Sequence, residues 1–248
     1  MPAKPDQPMP PAVSVVIPVL NDGPALARLL DTLPPRPGYE VIVVDGGSDP
    51  AVDAVCAMRP DVRLIRAPAG RGGQMNAGAA AGTGRWLLFL HADSSLPQGW
   101  STAIAGIGAD GDAASHVGGW FRFALDDRAW QARVVEWLVA WRVAVFSLPY
   151  GDQGFFVRRD VFTAMGGFRD MPLMEDVEFA RRLLREGPVR RSPLALVTSA
   201  RRWRRDGWFR RSARNACLVC LYFLGVDPAR LARLYHPPDG PASGAVES

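Results

Sequence analysis

Residues 86–97 read WLLFLHADSSLP, and their reading decides the fold. The first five, 86–90, are continuously apolar, and the run stops abruptly at His91, Ala92 and Asp93. A run that short, bounded by polar residues, suits a strand buried on both faces of a parallel sheet. In open α/β sheets, ligands gather outside the carboxyl ends of the strands. An acid at that edge can hold a divalent cation, and the cation can hold phosphates. Taken alone, the same residues describe an ordinary strand followed by a solvated aspartate, so the weight falls on what surrounds them.

Upstream, the pattern repeats. Val13–Val19 (VSVVIPV) is a β-branched strand ending in a turn that runs from Pro18 through Asn21 to Gly23. Leu26, Leu29, Leu30 and Leu33 have helical spacing over 24–33, closed by Pro34 and Pro35. A second strand, 40–44, runs into Asp45, Gly46, Gly47, Ser48 and Asp49. A helix over 51–58, a strand at Val62–Arg66, a glycine-rich turn at 70–73 and a small-residue helix over 74–81 follow. Strand–helix alternation predicts a parallel sheet with crossover helices. The loops after the first, second and fourth strands then open on one edge, which carries Asn21, Asp45 and Asp93. Two carboxylates and a glycine-rich turn on one edge point to a nucleotide-diphosphate site. Neither G-x-G-x-x-G after the first strand nor G-x-x-x-x-G-K-S/T occurs, which weakens dehydrogenase and kinase readings.

The second half is less regular. Gly118–Leu125 reads as a strand and 128–146 as a helix whose Trp130, Trp137 and Trp141 are expected in the core or against a partner. Gly151, Asp152 and Gln153 form a loop before another short strand, and Glu175 and Asp176 open a helix with a basic face. One or two short strands are expected over 188–197, and helices over 208–224 and 228–235.

With 248 residues, the chain suits one large domain with an appendage. The boundaries read as a flexible leader at 1–12, the main domain at 13–205, a helical appendage at 206–236 and a disordered tail at 237–248. The net charge is +4, yet RRWRRDGWFRR at 201–211 concentrates arginine. Three cysteines cannot all pair. Cys217 and Cys220, spaced i,i+3 in an apolar segment, read as buried thiols, which suits a reducing cytoplasm. No signal peptide and no run of transmembrane length is present.

These pieces, in this order, resemble family 2 glycosyltransferases of the GT-A fold over roughly residues 13–205. Val43, Val44, Asp45, Gly46, Gly47, Ser48 and Asp49 resemble that family's V-D-x-x-S-x-D loop, whose first Asp contacts the nucleotide base. GRGGQMNAG at 70–78 resembles its G-K-G-x-x-R-N-x-G helix start, and 88–93 its strand ending in D-x-D. Gly166, Gly167 and Phe168, followed by Glu175 and Asp176, match its G-G-F…E-D segment. The segments HAD, GDQGFF, MEDVEF and RRW together resemble a bacterial subgroup associated with arsenosugar biosynthesis.

The resemblance implies an α/β fold of GT-A (Rossmann-like) type: a mostly parallel sheet flanked by helices, with a helical C-terminal appendage. It implies a nucleotide-diphosphate sugar as donor, a small-molecule or glycan acceptor, and Mg²⁺ or Mn²⁺ as cofactor. The donor-binding residues it implies are Pro18, Asn21, Asp45, Gly46, Arg71, Gly72, Gly73, Asn76, His91 and Asp93, with Asp93 as metal ligand. The departures are informative. His91 replaces the first Asp of D-x-D, and Met75 stands where an Arg is expected before Asn76, so that nucleotide contact is either lost or supplied by Arg71. The Q-x-x-R-W of processive members is here Ser199, Ala200, Arg201, Arg202, Trp203, and no transmembrane helices follow, which argues against polysaccharide export.

Sugar transfer must stabilise a departing diphosphate and deprotonate an acceptor hydroxyl. A cation on Asp93 answers the first need, with Arg71 or the 201–205 arginines adding positive charge. Asp176 is the expected general base, with Glu175 beside it; alone, Asp176 also reads as a helix N-terminal charge. Attack opposite the leaving group inverts the anomeric centre. Gly151, Asp152, Gln153, Arg202 and Trp203 are expected on the acceptor side, and His91, His116 and His236 receive no metal role. Two rivals stand. A nucleotidyltransferase would use a similar sheet, but its glycine-rich loop after the first strand is missing. A non-catalytic protein could bind nucleic acid or an anionic membrane through 201–211; the favoured reading expects no nucleic acid and allows peripheral membrane contact.

Overall fold

The computed structural model describes residues 11–35, 38–107 and 116–235. The tail at 237–248, nearly all of the leader and His236 lie outside the described residues. Among the described residues, eight strands form one sheet: β1 (Val13–Val19), β2 (Tyr39–Asp45), β3 (Val62–Arg66), β4 (Trp86–Phe89), β5 (Ser94–Ser95), β6 (Gly118–Leu125), β7 (Phe155–Arg158) and β8 (Val189–Thr198). Their order is β3-β2-β1-β4-β7-β6-β8-β5. The first four strands used in the sequence argument are parallel, as expected. β7 then runs antiparallel to both β4 and β6, and β8 parallel to β6. The chain winds outward from β1 to β3 and then crosses to β4 on the other side of β1. That reversal opens a crevice beyond the ends of β1 and β4, the usual ligand position in such sheets.

Both faces of the sheet are covered, which is why its central strands are apolar runs. Val13, Val15, Ile17 and Val19 pack with Leu26, Leu29 and Leu30 of α1 (Gly23–Asp31) and Val52 of α2 (Pro50–Ala57). Val16, on the opposite face, packs with Met75 and Ala79 of α3 (Arg71–Ala81) and Phe179 and Leu183 of α7 (Glu175–Glu186). Asp22 and Asp49 cap α1 and α2, each followed by proline in the first turn. α3 is rich in small residues because it lies tight on the sheet: a Cβ at Gly78 would stand 2.3 Å from Val16 Cγ1. The remaining helices are α4 (Trp100–Ala105), α5 (Trp130–Phe146), α6 (Arg159–Ala164), α8 (Arg201–Asp206), α9 (Trp208–Phe223) and α10 (Pro228–Tyr235).

The strand expected over 188–197 is one element, β8, held along β6. Three expectations change. α3 starts at Arg71, so Gly72 and Gly73 lie in its first turn, where Gln74 N donates to Gly70 O at 2.9 Å. Trp130, Trp137 and Trp141 are exposed; α5 buries Ala132, Val135 and Val143 instead. Cys217 and Cys220 are exposed too, because α9 turns Leu218, Val219 and Arg211 inward.

Candidate active site

The end of β4, the turn Gly151–Gln153 and the start of α7 meet at one cleft. Arg71 enters from the first residue of α3, Arg202 and Trp203 from α8, and residues of α9 and α10 close the far wall. The cleft thus gathers Arg71, His91, Asp93, Asp152, Glu175 and Asp176, which are far apart in sequence.

Asp93 is almost wholly buried, and its Oδ2 lies 3.1 Å from Arg202 Nη2 and 4.0 Å from Arg201 Nη2. Arg201 is anchored in turn on Asp22, the cap of α1. His91 Nε2 lies 3.5 Å from Arg71 Nη1. Burial, with the Arg71 and Arg202 charges, pushes the His91 pKa down to about 3, so the ring is neutral near pH 7. The backbone at Gly151 approaches the ring closely: a Cβ there would stand 2.8 Å from His91 Nε2.

The adjacent carboxylates diverge. Glu175 is buried, and its Oε1 lies 3.2 Å from Arg71 Nε, an ion-pair distance without hydrogen-bond alignment. Burial, joined by the charge of Asp176, raises the Glu175 pKa, and Arg71 opposes the rise. Asp176 turns the other way. Its Oδ2 accepts from Gly151 N and its Oδ1 from Val177 N, both at 2.8 Å. A carboxylate has about four lone-pair sites, so Asp176 keeps acceptor capacity toward the cleft. Met174, just before this helix, sits at φ 71°, a left-handed conformation that costs on the order of 1–3 kcal/mol for a non-glycine residue.

Asp152 also lines the cleft, with Oδ1 buried and lacking a hydrogen-bond partner. Burial first, then the charges of Asp176 and Asp93, push its pKa up to about 6 against the pull of Arg142. Its neighbour Gln153 does not line the cleft: it is buried and donates to Phe121 O at 3.1 Å. Trp203 packs on Phe123 at 6.0 Å between ring centroids and carries the Arg211 guanidinium over its face.

The expected base-binding residues lie apart from this cleft. Asp45 is fully buried; Oδ1 accepts from Gly47 N at 2.9 Å and Oδ2 from Arg66 Nη1 at 2.5 Å. Pro18, Asn21 and Gly46 stand with it at the ends of β1 and β2. Asn76 spends both ends of its amide on the backbone N–H and C=O of Phe168, so it brackets α3 to the Gly166–Gly167 turn. Gly72 is a packing position, since a Cβ would come 2.7 Å from Arg169 O, whereas Gly73 faces open space.

Several residues escaped the sequence reading. Gln74 is buried and donates to Val19 O and Val44 O, tying the ends of β1 and β2 together. Arg211, Asn215, Tyr150 and Tyr235 line the cleft. Arg211 was expected to be largely solvated with Arg204, Arg205 and Arg210, but it is buried; its i,i+4 spacing to Asn215 and i,i+7 to Leu218 was the available signal for one inward face.

Hard divalent cations take oxygen ligands, and Mg²⁺ commonly uses one or two carboxylates with substrate phosphates completing the shell. Among the described residues, no group of three or more His, Cys, Asp or Glu side chains is placed to cage a metal. Asp93 and Asp152, whose buried Oδ1 has no hydrogen-bond partner, line the same cleft, a pair of oxygen donors that fits a cation whose remaining ligands are a diphosphate's.

The model of the family described as "Glycosyl transferase family 2" matches residues 14–174. The pre-mycofactocin glycosyltransferase of Mycobacterium tuberculosis is 30% identical over 219 residues, covering 81% of this chain and 45% of the relative. A PGL/p-HBAD biosynthesis glycosyltransferase of Mycobacterium bovis is 38% identical over 94 residues, 35% of this chain and 37% of its own. The chain thus spans less than half the length of these curated relatives. Among solved structures, a mannosyltransferase from Pyrobaculum calidifontis in complex with GDP-Man and Mn²⁺ superposes with a TM-score of 0.55 at 20% identity, over 78% of this chain and 60% of the other. TarS of S. aureus in complex with UDP-GlcNAc gives a TM-score of 0.56 at 15% identity, over 75% and 58%. These likenesses establish the fold as GT-A-like. With the family model spanning well over half its length, the chain belongs to glycosyl transferase family 2.

Proposed function

We propose that this chain is an inverting glycosyltransferase, moving a sugar from a nucleotide-diphosphate donor to an acceptor hydroxyl. The observation that carries the reading is that Asp93, after β4, and Asp176, at the start of α7, line one cleft together with Arg71 and Arg202. The nucleotide sugars bound by the mannosyltransferase and TarS support the donor class. Departure of a nucleoside diphosphate leaves negative charge on its oxygens, and Arg71 and Arg202 hold positive charge at fixed positions to meet it. A divalent cation, Mg²⁺ or Mn²⁺, held by Asp93 and the donor's phosphates would add to that charge.

Asp176 takes the proton of the acceptor hydroxyl while the hydroxyl oxygen bonds the anomeric carbon. The bond from that carbon to the diphosphate oxygen breaks, and the configuration inverts. The N–H groups of Gly151 and Val177 fix the carboxylate in one orientation. The acceptor lies against Tyr150, Leu173, Leu218 and Trp203, near two buried polar atoms without partners, Arg211 Nε and Asn215 Oδ1. Asp45 serves the donor base once Arg66 yields its place. The HAD, GDQGFF, MEDVEF and RRW segments support a small-molecule glycoside, of the arsenosugar kind, as product. Free cysteines suit a reducing compartment, and we place the reaction in the cytoplasm.

The test is incubation with Mn²⁺ or Mg²⁺ and a panel of UDP-, GDP- and dTDP-sugars, reading nucleotide products with and without a mixture of hydroxyl acceptors. Nucleoside diphosphate release that rises with acceptor is expected. Pyrophosphate release would assign nucleotidyl transfer instead, and no release from any donor would overturn the reading.

A further inference from the structure

Large apolar side chains are exposed on two helices that pack side by side, α5 and α9. On α5, Trp130, Trp137, Trp141 and Val145 follow one another at helical spacing, and they are 64%, 64%, 51% and 56% exposed. On α9, Phe209, Ala213, Cys217, Cys220 and Phe223 form a second outward stripe, on the side opposite the cleft-lining Leu218 and Val219. The stripes join where the Trp130 and Phe209 rings lie 6.0 Å apart. Monomeric soluble proteins rarely expose so much contiguous apolar surface without a use for it.

Charge on these helices has one sign. α9 carries no acid, and of its arginines Arg211 and Arg214 turn to Asp206, leaving Arg210 on the outer face. The one acid on α5, Glu136, is consumed by Arg133 at 2.8 Å and by Leu125 N at 2.7 Å. Exposed Arg128 and Arg210 flank the Trp130–Phe209 end, and the Arg181 guanidinium lies over Phe223 at the other, 5.1 Å from the ring centroid. A second copy docking here would set arginine rim against arginine rim, and like charges across an interface are costly.

We infer that the α5–α9 face rests on an anionic lipid bilayer. Indole rings favour the headgroup level, where an apolar body and a polar N–H are both satisfied. Arginines at the rim meet lipid phosphates, and basic residues near an anionic surface add to its attraction. Arg133, Glu136 and Arg142 interrupt α5, and among the described residues no helix is long and apolar enough to cross a membrane, so the face lies on the bilayer. From the 201–211 run the face takes only Phe209 and Arg210; Arg211 is buried, and Arg204 and Arg205 are paired with Asp127 and Asp206.

The test is co-sedimentation of the full chain with phosphatidylcholine vesicles, with and without phosphatidylglycerol. Binding to the phosphatidylglycerol vesicles is expected, with blue-shifted tryptophan emission and weaker binding to the neutral ones. The double variant Trp137→Ser/Trp141→Ser should lose about tenfold or more in partitioning, roughly 1.4 kcal/mol, while melting at the wild-type temperature. If that variant fails to fold, quenching of wild-type tryptophan by bromine-labelled lipid decides the matter, and quenching is expected. Wild-type protein that stays in the supernatant with unshifted emission overturns the inference. So does a dimer in light scattering that the double variant dissolves without any vesicle binding, which would assign the face to a second copy.

Discussion

Asp45 and Asp93 are the same feature twice: an aspartate where a buried parallel strand leaves the sheet. Their surroundings have made them different. Asp45 is sealed by its own neighbourhood, with Gly47 N on one oxygen and Arg66, its partner in the register between β2 and β3, on the other. Asp93 opens onto the cleft and is met by Arg202, which is 109 positions away in sequence. The sealed carboxylate can meet a ligand only when Arg66 releases it, whereas the arginine-faced one already lines a cleft. Strand-end position therefore identifies candidates, and the groups that reach them decide between frame and chemistry.

The sharpest contrast to test is within the working end. Asp176→Asn should keep the fold and donor affinity but lose about 10²–10⁴-fold in transfer rate, because an amide cannot accept the acceptor's proton. Glu175→Gln, which touches Arg71 and not the hydroxyl, should lose far less. Transfer rates measured beside calorimetric nucleotide affinity separate the two. An equal loss of donor binding in Asp176→Asn would make it part of the donor site.

Next comes the pair of strand ends. Asp93→Ala should abolish the Mn²⁺-stimulated part of nucleoside diphosphate binding and slow transfer on the order of 10²–10³-fold. Asp45→Ala should weaken UMP binding with or without metal. Calorimetry with UMP and UDP, each with and without Mn²⁺, would expose the reverse pattern and with it a wrong division of labour.

Arginine position should then be graded. Arg202→Ala removes a charge facing Asp93 and should cost roughly tenfold in turnover, the scale of one charge-assisted hydrogen bond. Arg210→Ala, on the outer surface, should leave turnover near wild type. Steady-state kinetics showing the opposite order would move the site away from α8.

Much of this division was legible in the sequence, and the rest was not, for reasons that lie in distance. The β1–β4 half follows from local signals: apolar runs, the leucine spacing over 24–33 closed by Pro34 and Pro35, and the glycine- and aspartate-rich turns after the strands. The carboxylates at its edge, and Glu175 and Asp176, are placed by the same signals together with motif spacing. The arginine run was harder because one stretch serves three ends. Arg201 reaches Asp22, Arg202 reaches Asp93, and Arg211 is buried against Asp206 and Trp203. Periodicity also could not tell that α5 turns its tryptophans outward, since a stripe of large apolar residues looks the same whether protein or something else covers it.

The smallest effect concerns stability. Folding raises the Asp152 pKa from an ordinary carboxylate value of 3.8 to about 6, so its ionised form weighs against the folded state above that range. Asp152→Asn should therefore raise the melting temperature by a few degrees at pH 7.5. The gain should shrink as pH falls through 6 and vanish below about 4, where the carboxyl is protonated in both states. Melting curves across that range would show a pH-independent difference if burial were not the cause.

The most direct test of direct displacement in this cleft is the configuration of the product. With whichever nucleotide sugar supports turnover, the anomeric proton coupling in the product's NMR spectrum reports which face of the sugar was attacked. A single attack by the hydroxyl that Asp176 deprotonates should give the configuration opposite to the donor's. A product that retains the donor's configuration would contradict it.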